Sequence, residues 1–294
     1  MIRLAPLLLF LAGCAPASRE ERGGRGMVST NPCADALLVR LLPPERIAAI
    51  SHYSHDPGAS SLPVSVARRF PATGATAEEV IALRPSLVLA SSFTPASTRG
   101  AYARAGLQTL YLDSPTTVAT SIAQVRDVAK AVGHTAEGEA MVRAIVASLP
   151  PPQRRSKPRI GTVGGEGQHT TTHFVAAGPR PSPGREGGRS ALLYIAGDLA
   201  NGGGTLLDEL TRLAGFRNAA ADYGLRHTGT LPAELLVARP PDVIIDSGEG
   251  RTAALRRRLL PRTPVARFGR SLVNCGGPAI PAALARLRAI RASL

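Results

Sequence analysis

Short apolar runs alternate with amphipathic helical patterns along most of this chain. In the first half, the pattern predicts strands at 26–30, 47–51, 87–90 and 107–112. Helices are predicted between them, the first over Asp35–Leu42 and another starting at Thr76, with Glu79 completing a capping box. Strands that alternate with helices predict right-handed crossovers and a mostly parallel sheet.

The second half repeats this alternation. Strands are predicted at 191–196, 243–246, 265–268 and 272–274, and helices at 206–214, 232–238 and 281–290. Residues 78–89 and 234–245 are similar to each other, since in both a short helix leads through a Pro into an apolar strand. The repeated pattern predicts two related α/β lobes, an N-terminal one over 27–116 and a C-terminal one over 191–294.

A long helical pattern separates the two lobes. Apolar residues recur at helical spacing over 117–150, and prolines end the pattern at Pro150–Pro152. As one helix it would reach ~45 Å at the usual rise per residue. We predict a single linking helix, which Gly133 interrupts and bends. The next segment, 151–190, is rich in Pro, Gly and Arg, and we predict irregular structure there.

The first residues have the layout of an export signal. Arg3 precedes the apolar run 4–11, and the small residues Ala12 and Gly13 come before Cys14. The run is much shorter than the ~20 residues that span a bilayer. We expect a signal peptide over 1–13, a lipidated Cys14 that anchors the chain to a membrane on the periplasmic side, and a flexible tether over 14–26. The alternative is an ordinary secretory signal that is cut after Cys14, which leaves a soluble periplasmic protein.

Composition narrows the classes of partner. The formal net charge is +14, but the Arg residues are scattered along the predicted helices, and no basic helix interleaved with aromatic residues is present. We therefore expect no nucleic-acid partner. An anionic ligand or an anionic membrane surface stays open as a partner for part of the charge. Because aromatic residues make up only 4% and Trp is absent, the core must be built from aliphatic side chains.

Ligands of parallel α/β sheets bind at the carboxyl ends of the strands. The most polar loop at such an end is 52–57, which contains His52, Tyr53 and His55, and the loop 91–98 at another end contains Phe93. His and Tyr side chains are common axial ligands of haem and other metal chelates. The alternative is that these loop side chains only face solvent.

Two further Cys residues, Cys33 and Cys275, also follow predicted strands. Three interpretations stay open. They are unpaired thiols without a special role, or a disulfide, which requires Cα atoms within about 7 Å of each other, or thiolate contacts to a ligand or its metal.

The predicted second lobe has its own candidates. Gly203 lies in the Gly-rich turn 202–204 before a helix, where free backbone N–H groups can bind an anion. The turn lacks the Lys of a nucleotide-binding P-loop, and the alternative is a tight turn that packs close to the sheet. Tyr223 and His227 are candidates for ligand contacts.

The segments 78–89, 202–218 and 234–245, in this order and spacing, resemble the substrate-binding proteins of ABC importers for cobalamin, ferric siderophores and haem. The resemblance covers roughly 27–150 and 190–294. It implies an α/β fold of two Rossmann-like lobes with mostly parallel sheets, joined by one long helix, with the ligand cleft between the lobes. It also implies a monomeric binding protein without catalysis or an intrinsic cofactor. Such a protein captures a small-molecule chelate of Fe or Co and delivers it to an ABC permease dimer.

In this family an acidic residue on each lobe docks onto the permease. Glu78 matches the first-lobe position, whereas the second-lobe position falls near Arg212, so Asp208 or Glu209 is the nearest substitute. The alternative is that these acids are ordinary solvated residues. A cleft poor in aromatic side chains fits a corrinoid or citrate-like chelate better than an aryl siderophore.

Two other functions stay open. The first is a component of a free-metal importer for Zn²⁺ or Mn²⁺, although the six His residues are not grouped in one loop. The second is a hydrolase that uses Cys33 with His52 or His55 and Asp35, although a Gly-x-Ser-x-Gly nucleophile motif is missing.

Overall fold

The computed structural model describes residues 26–151, 188–247 and 250–294. The predicted signal peptide, Cys14, nearly all of the tether and most of the irregular segment 151–190 lie outside the described residues. Among the described helices, none has both the length and the apolar character that crossing a bilayer requires.

The N-terminal lobe is built on a parallel five-stranded sheet in the order β3-β2-β1-β4-β5. Its strands are β1 (Met27–Ser29), β2 (Ile47–Ser51), β3 (Ala72–Thr73), β4 (Leu87–Ser91) and β5 (Thr109–Leu112). Its helices are α1 (Pro32–Leu41), α2 (Val64–Ala67), α3 (Ala77–Ala82) and α4 (Ala96–Arg104). The central strand β1 pairs on one side with β2 and on the other with β4, so the loops that follow these two strands flank the start of α1.

The predicted capping box at the start of α3 forms only in part. The Thr76 side chain accepts a hydrogen bond from the Glu79 amide at 3.3 Å, as predicted. The Glu79 carboxylate instead accepts hydrogen bonds from the Gly74 amide at 2.7 Å and the Thr73 hydroxyl at 3.0 Å. It therefore fixes the loop between β3 and the helix.

The region predicted as one linking helix is two helices, α5 (Val118–Ala131) and α6 (Thr135–Ser148), which corrects the prediction. Gly133 between them has a positive φ of 79°, so the chain reverses there instead of bending. The two helices lie side by side, joined by an ion pair between Arg126 and Glu139. Gly138 packs so closely on Ala129 that a Cβ atom at that position would overlap with it.

The C-terminal lobe is a second mixed sheet in the order β11-β10-β6-β7-β9, with β8 also paired to β6. Its strands are β6 (Ser190–Ala196), β7 (Leu199–Ala200), β8 (Arg217–Asn218), β9 (Gly229–Thr230), β10 (Val243–Asp246) and β11 (Val265–Arg267). Its helices are α7 (Leu206–Leu213), α8 (Ala233–Ala238), α9 (Gly250–Leu259) and α10 (Ile280–Ala292). β6, β10 and β11 are parallel, whereas β7 and β9 add antiparallel pairs. The strand predicted at 272–274 is wrong, since a 3₁₀ turn over Arg270–Leu272 lies there.

The interior is continuous between the lobes. One apolar cluster of buried side chains includes Leu37 of α1, Val125 of α5, Ile145 of α6, Leu206 of α7 and Leu284 of α10. Burial of apolar area is the main source of stability in such a cluster. The two lobes are therefore packed against each other through their helices.

Candidate functional site

The loop with the strongest candidate ligands begins where β2 ends. A 3₁₀ turn covers His52–His55, and the Ser51 hydroxyl accepts a hydrogen bond from the Tyr53 amide at 3.3 Å. Tyr53 is 53% exposed, which is unusual for so large an apolar ring. The rings of His52 and Tyr53 lie against each other, with their centroids 4.1 Å apart. The turn therefore presents an imidazole and a phenol side by side.

The hydrogen bond of His52 determines which of its ring nitrogens is free. Its Nδ1 lies 3.2 Å from the backbone oxygen of Thr73 in β3. Because a carbonyl oxygen only accepts, Nδ1 must carry the proton, and the neutral ring then has its lone pair on Nε2. A backbone carbonyl on one nitrogen is the usual support of a histidine that ligates metal through the other.

The other candidates of the N-terminal lobe lie on either side of this pair. Phe93 follows β4 and is 80% exposed. By contrast, Nε2 of His55 is buried and has no hydrogen-bond partner among the described residues. As the loop stands, that nitrogen does not face a ligand.

The two Cys residues form a disulfide, with their Cα atoms 5.3 Å apart. Cys33 lies in the first turn of α1, directly after the central strand β1, and Cys275 lies between β11 and α10. The disulfide therefore joins the two lobes, and of the three interpretations it is the one that the structure contains. The candidate roles of Cys33 and Cys275 as thiolate ligands are corrected, and so is the role of Cys33 as a hydrolase nucleophile, because neither sulfur is a thiol.

Residues 274–277, the interlobe segment, make two further contacts, one to the N-terminal lobe and one to helix α5. The side-chain amide of Asn274 donates to the backbone oxygen of Gly58 at 3.1 Å. The backbone amide of Gly277 donates to the hydroxyl of Ser121 in α5 at 2.6 Å. One short segment of the C-terminal lobe is thus fixed to α1, to α5 and to the end of the His52–Tyr53 loop.

Asp35 is buried directly beneath the same loop. Its Oδ2 accepts hydrogen bonds from the Ser51 amide at 3.0 Å and from the Ser54 hydroxyl at 2.6 Å. Its Oδ1 has no partner among the described residues. Burial raises the pKa of Asp35 to about 7, although the nearby hydroxyls of Ser29 and Ser54 and the Ser51 amide act in the opposite direction.

The glycine-rich turn before α7 forms the tight turn that was the alternative interpretation. Gly202 packs directly on the backbone of His227, where a Cβ atom would overlap. The Gly204 amide donates to the Asp208 carboxylate at 3.1 Å, and Thr205 caps the helix. The protein's own carboxylate therefore occupies the start of this helix, and Gly203 lies between the two contacts.

Tyr223 lies away from the edge where the lobes meet. Its hydroxyl donates to the backbone oxygen of Arg239 at 2.6 Å, and Arg239 precedes the amino end of β10. Burial raises the pKa of Tyr223 to about 12. The side chain therefore anchors the segment between α8 and β10, and not the carboxyl edge of the sheet.

Arg256 was not predicted, although it lies at the carboxyl edge of the second sheet. It is 6% exposed, and its guanidinium contacts Asp246 at 3.1 Å and Asp198 at 3.2 Å. It also stacks over the ring of Tyr194, 3.7 Å from the centroid. In the sequence it is one of three consecutive Arg residues, which are typical of a solvated helix face. Only its burial distinguishes it.

The acidic residues predicted to dock onto a permease have different surroundings. Glu78 is exposed in the first turn of α3. Glu209 accepts a hydrogen bond from the Val118 amide at 2.7 Å, so it caps α5 from the other lobe. Asp208 is buried and pairs with Arg212. Among these, Glu78 has the geometry that the docking prediction requires.

Two cavities lie away from the predicted ligand residues. One, of about 620 Å³, is lined by Arg189, Arg288 and Arg291, and another, of about 310 Å³, lies between β5 and α5. Within the described ranges, no three His, Cys, Asp or Glu side chains are grouped as a metal site would need. The free-metal interpretation therefore has no site in that part of the chain.

The sequence of residues 27–154 matches the family described as periplasmic binding protein. No curated protein sequence matches the chain.

Solved structures match nearly the whole chain. The periplasmic heme-binding protein RhuT from Roseiflexus sp. RS-1, in apo form, is 18% identical, with a TM-score of 0.65 over 91% of this chain and 99% of that one. The periplasmic heme-binding protein BhuT in complex with two hemes is 21% identical, with a TM-score of 0.65 over 92% and 99%. HutB of Vibrio cholerae, also a periplasmic heme-binding protein, is 16% identical, with a TM-score of 0.62 over 90% and 97%.

These matches confirm the two-lobed α/β fold that the resemblance implies. The family match covers the N-terminal lobe and the helical pair, and the structural matches cover both lobes. The N-terminal part of this chain is thus similar in sequence to the periplasmic binding protein family, and the described chain shares its fold with the solved structures above.

Proposed function

We propose that this chain is the substrate-binding protein of an ABC importer, that it works outside the cytoplasm, and that it captures haem or a closely related metal chelate. The solved structures that it resembles carry the description heme-binding, and one of them contains two hemes. The chelate is cargo, which the protein binds and releases to a permease without changing its bonds.

The observation that carries the proposal is the pair of His52 and Tyr53 at the carboxyl end of β2. Tyr53 presents an exposed phenol, and His52 has its Nδ1 proton held by Thr73. Phenolate and neutral imidazole are both axial ligands of haem iron. The exposed ring of Phe93, after β4, offers an apolar surface for the face or edge of a porphyrin.

The rival functions have less support. The disulfide leaves Cys33 without a nucleophilic thiol, so the hydrolase has lost its proposed residue. Cobalamin stays an alternative cargo, because a corrinoid also offers a metal to His52. Lipid attachment through Cys14 stays a proposal from the sequence and accounts for how the protein is held near its permease.

Titration of the purified protein with haemin tests this function. We expect a saturable shift of the Soret band with a 1:1 or 2:1 stoichiometry, and no comparable binding of ferric citrate or Zn²⁺. Tyr53→Phe is expected to change the absorption spectrum, because it removes the phenol oxygen and little else. Tyr223→Phe is the matched control, because that hydroxyl is bonded to Arg239 at the other end of the strands.

Cobalamin is titrated in parallel. If the protein binds cobalamin tightly and haemin only weakly and without saturation, the cargo is a corrinoid and the haem proposal is wrong. If it binds neither, the chelate proposal fails.

A further inference from the structure

The first turn of α1 is bonded both to the C-terminal lobe and to the turn that contains His52 and Tyr53. Cys33 in this turn is bonded to Cys275 of the other lobe, and Asp35 is two residues further along. A covalent bond to the opposite lobe fixes the position of the turn. The residues that are hydrogen-bonded to Asp35 are therefore also fixed relative to the C-terminal lobe.

Asp35 holds the turn that presents His52 and Tyr53. One carboxylate oxygen accepts hydrogen bonds from the Ser51 amide, directly before this pair, and from the Ser54 hydroxyl, directly after it. The Ser54 hydroxyl also lies 3.2 Å from the hydroxyl of Ser60, which extends the network into the following loop. Asp35 and Ser54 are fully buried, so water does not compete for these bonds.

We propose that Asp35 is a positioning residue of the ligand site, which holds the His52–Tyr53 turn against the disulfide-fixed first turn of α1. This inference rests on the proposed function, because it concerns how that site presents its ligands. Asp35 does not touch the cargo. It acts through Ser51 and Ser54 on the two side chains between them.

The physical reason is the precision that metal ligation requires. A coordinating side chain must be held within about 0.5 Å of its working position, and a turn of four residues without a buried anchor does not reach this. The Thr73 carbonyl orients the His52 ring, but only Asp35 contacts the backbone on one side of the pair and a side chain on the other. The two hydrogen bonds that the Asp35 carboxylate accepts both come from the residues that flank His52 and Tyr53, so holding this pair gives a reason for the cost of burying an acid there.

Three variants test the proposal in the purified protein. Asp35→Ala removes both hydrogen bonds, Asp35→Asn keeps an oxygen acceptor of the same shape, and Asp127→Ala removes an exposed carboxylate of α5 as the control. We expect Asp35→Ala to lower the affinity for haemin by about tenfold, which is the usual size of the effect of losing a buried hydrogen bond, and to broaden the Soret band. Asp35→Asn should restore both the affinity and the spectrum.

A second measurement does not depend on the cargo. Hydrogen exchange of the backbone amides of residues 51–55 in the ligand-free protein should become at least about tenfold faster in Asp35→Ala than in Asp35→Asn. If Asp35→Ala does not fold, Ser54→Ala removes one of the two bonds and is expected to show the same changes in weaker form. Failure of the wild-type protein to bind haemin overturns the proposed function, while the exchange rates still decide whether Asp35 holds the turn.

Two outcomes overturn the inference. One is a folded Asp35→Ala variant with the affinity, spectrum and exchange rates of the wild type. The other is an Asp35→Asn variant as impaired as Asp35→Ala, which shows that the oxygen acceptor does not position the turn.

Discussion

Cys33 and Cys275 are separated by 242 positions in the sequence, and yet their Cα atoms lie 5.3 Å apart in a disulfide between the two lobes. The bond lies at the carboxyl end of β1, the central strand of the first sheet, two residues before the Asp35 that contacts the candidate ligand turn. On each side of it, the interlobe segment donates a hydrogen bond, to Gly58 of the N-terminal lobe and to Ser121 of α5. The lobes are thus joined covalently at the place where the cargo is proposed to bind.

Removal of this disulfide should destabilise the protein strongly. A cross-link that closes so long a loop restricts the unfolded chain, and such bonds contribute about 2 to 5 kcal/mol. We expect the double variant Cys33→Ser/Cys275→Ser to lose this amount in urea unfolding, and the oxidised wild type to show no free thiol at these positions under denaturing conditions. Equal unfolding midpoints with and without reductant would contradict the prediction.

The ionisation of Asp35 should make stability depend on pH. Its pKa is about 3.8 when unfolded and about 7 when folded, so between these values the folded state binds more protons. The contribution of the protonated Asp35 to the free energy of unfolding is complete below about pH 4. It decreases by about 1.4 kcal/mol per pH unit as the pH rises, and is lost above about pH 7.

Urea unfolding of the wild type and of Asp35→Asn at pH 5 and pH 8 measures this effect. Relative to the variant, the wild type should lose about 3 kcal/mol between the two values. Asp127→Asn, which removes an exposed carboxylate of α5, is the matched control. A parallel pH dependence of the wild type and Asp35→Asn would show that the buried carboxyl does not titrate in this range.

Gly202 should tolerate no side chain. A Cβ atom there overlaps the backbone of His227, which cannot move as the end of a side chain can. We expect Gly202→Ala to lower the free energy of unfolding by about 1 to 3 kcal/mol, as overpacked sites do.

The control for this position is Gly100→Ala. Gly100 lies within α4, and the nearest atom to a Cβ there would be at the flexible end of the Arg104 side chain. Because Ala is the better helix former by about 0.5 to 1 kcal/mol, this variant should be more stable than the wild type. Thermal melts of both variants check the opposite signs.

Glu78 should be needed for delivery but not for capture. It is exposed at the start of α3, and docking onto basic residues of a permease would use its charge. We expect Glu78→Lys to lower the stimulation of permease ATPase activity in reconstituted vesicles at least about tenfold, with unchanged haemin binding and thermal stability.

The matched control for the docking experiment is Glu45→Lys. Glu45 is also exposed, but it lies in the turn before β2, at the amino end of the strands. This variant should stimulate the ATPase as the wild type does. Equal loss in both variants would show that overall charge, and not a docking position, sets the stimulation.

The sequence by itself determined the local elements and the place of the His52–Tyr53 loop at the end of a strand. Strand β2 (Ile47–Ser51) and strand β10 (Val243–Asp246) were predicted at their observed bounds. A buried strand is visible in the sequence as a short apolar run between turn residues, so these bounds depend only on local sequence. The alternation of elements was enough to put His52 and Tyr53 at the carboxyl end of a strand. The family resemblance followed from the order and spacing of such segments.

Only the tertiary structure decided how these parts meet. A helix that continues past Gly133 and a chain that reverses there have the same apolar spacing, and the packing of Gly138 on Ala129 selects the reversal. The pairing of Cys33 with Cys275 depends on contacts across the whole chain, which no local pattern records. Burial likewise separated Asp35 from the solvated acids, because the cost of burying a carboxyl group and the partners that offset it exist only in the folded protein.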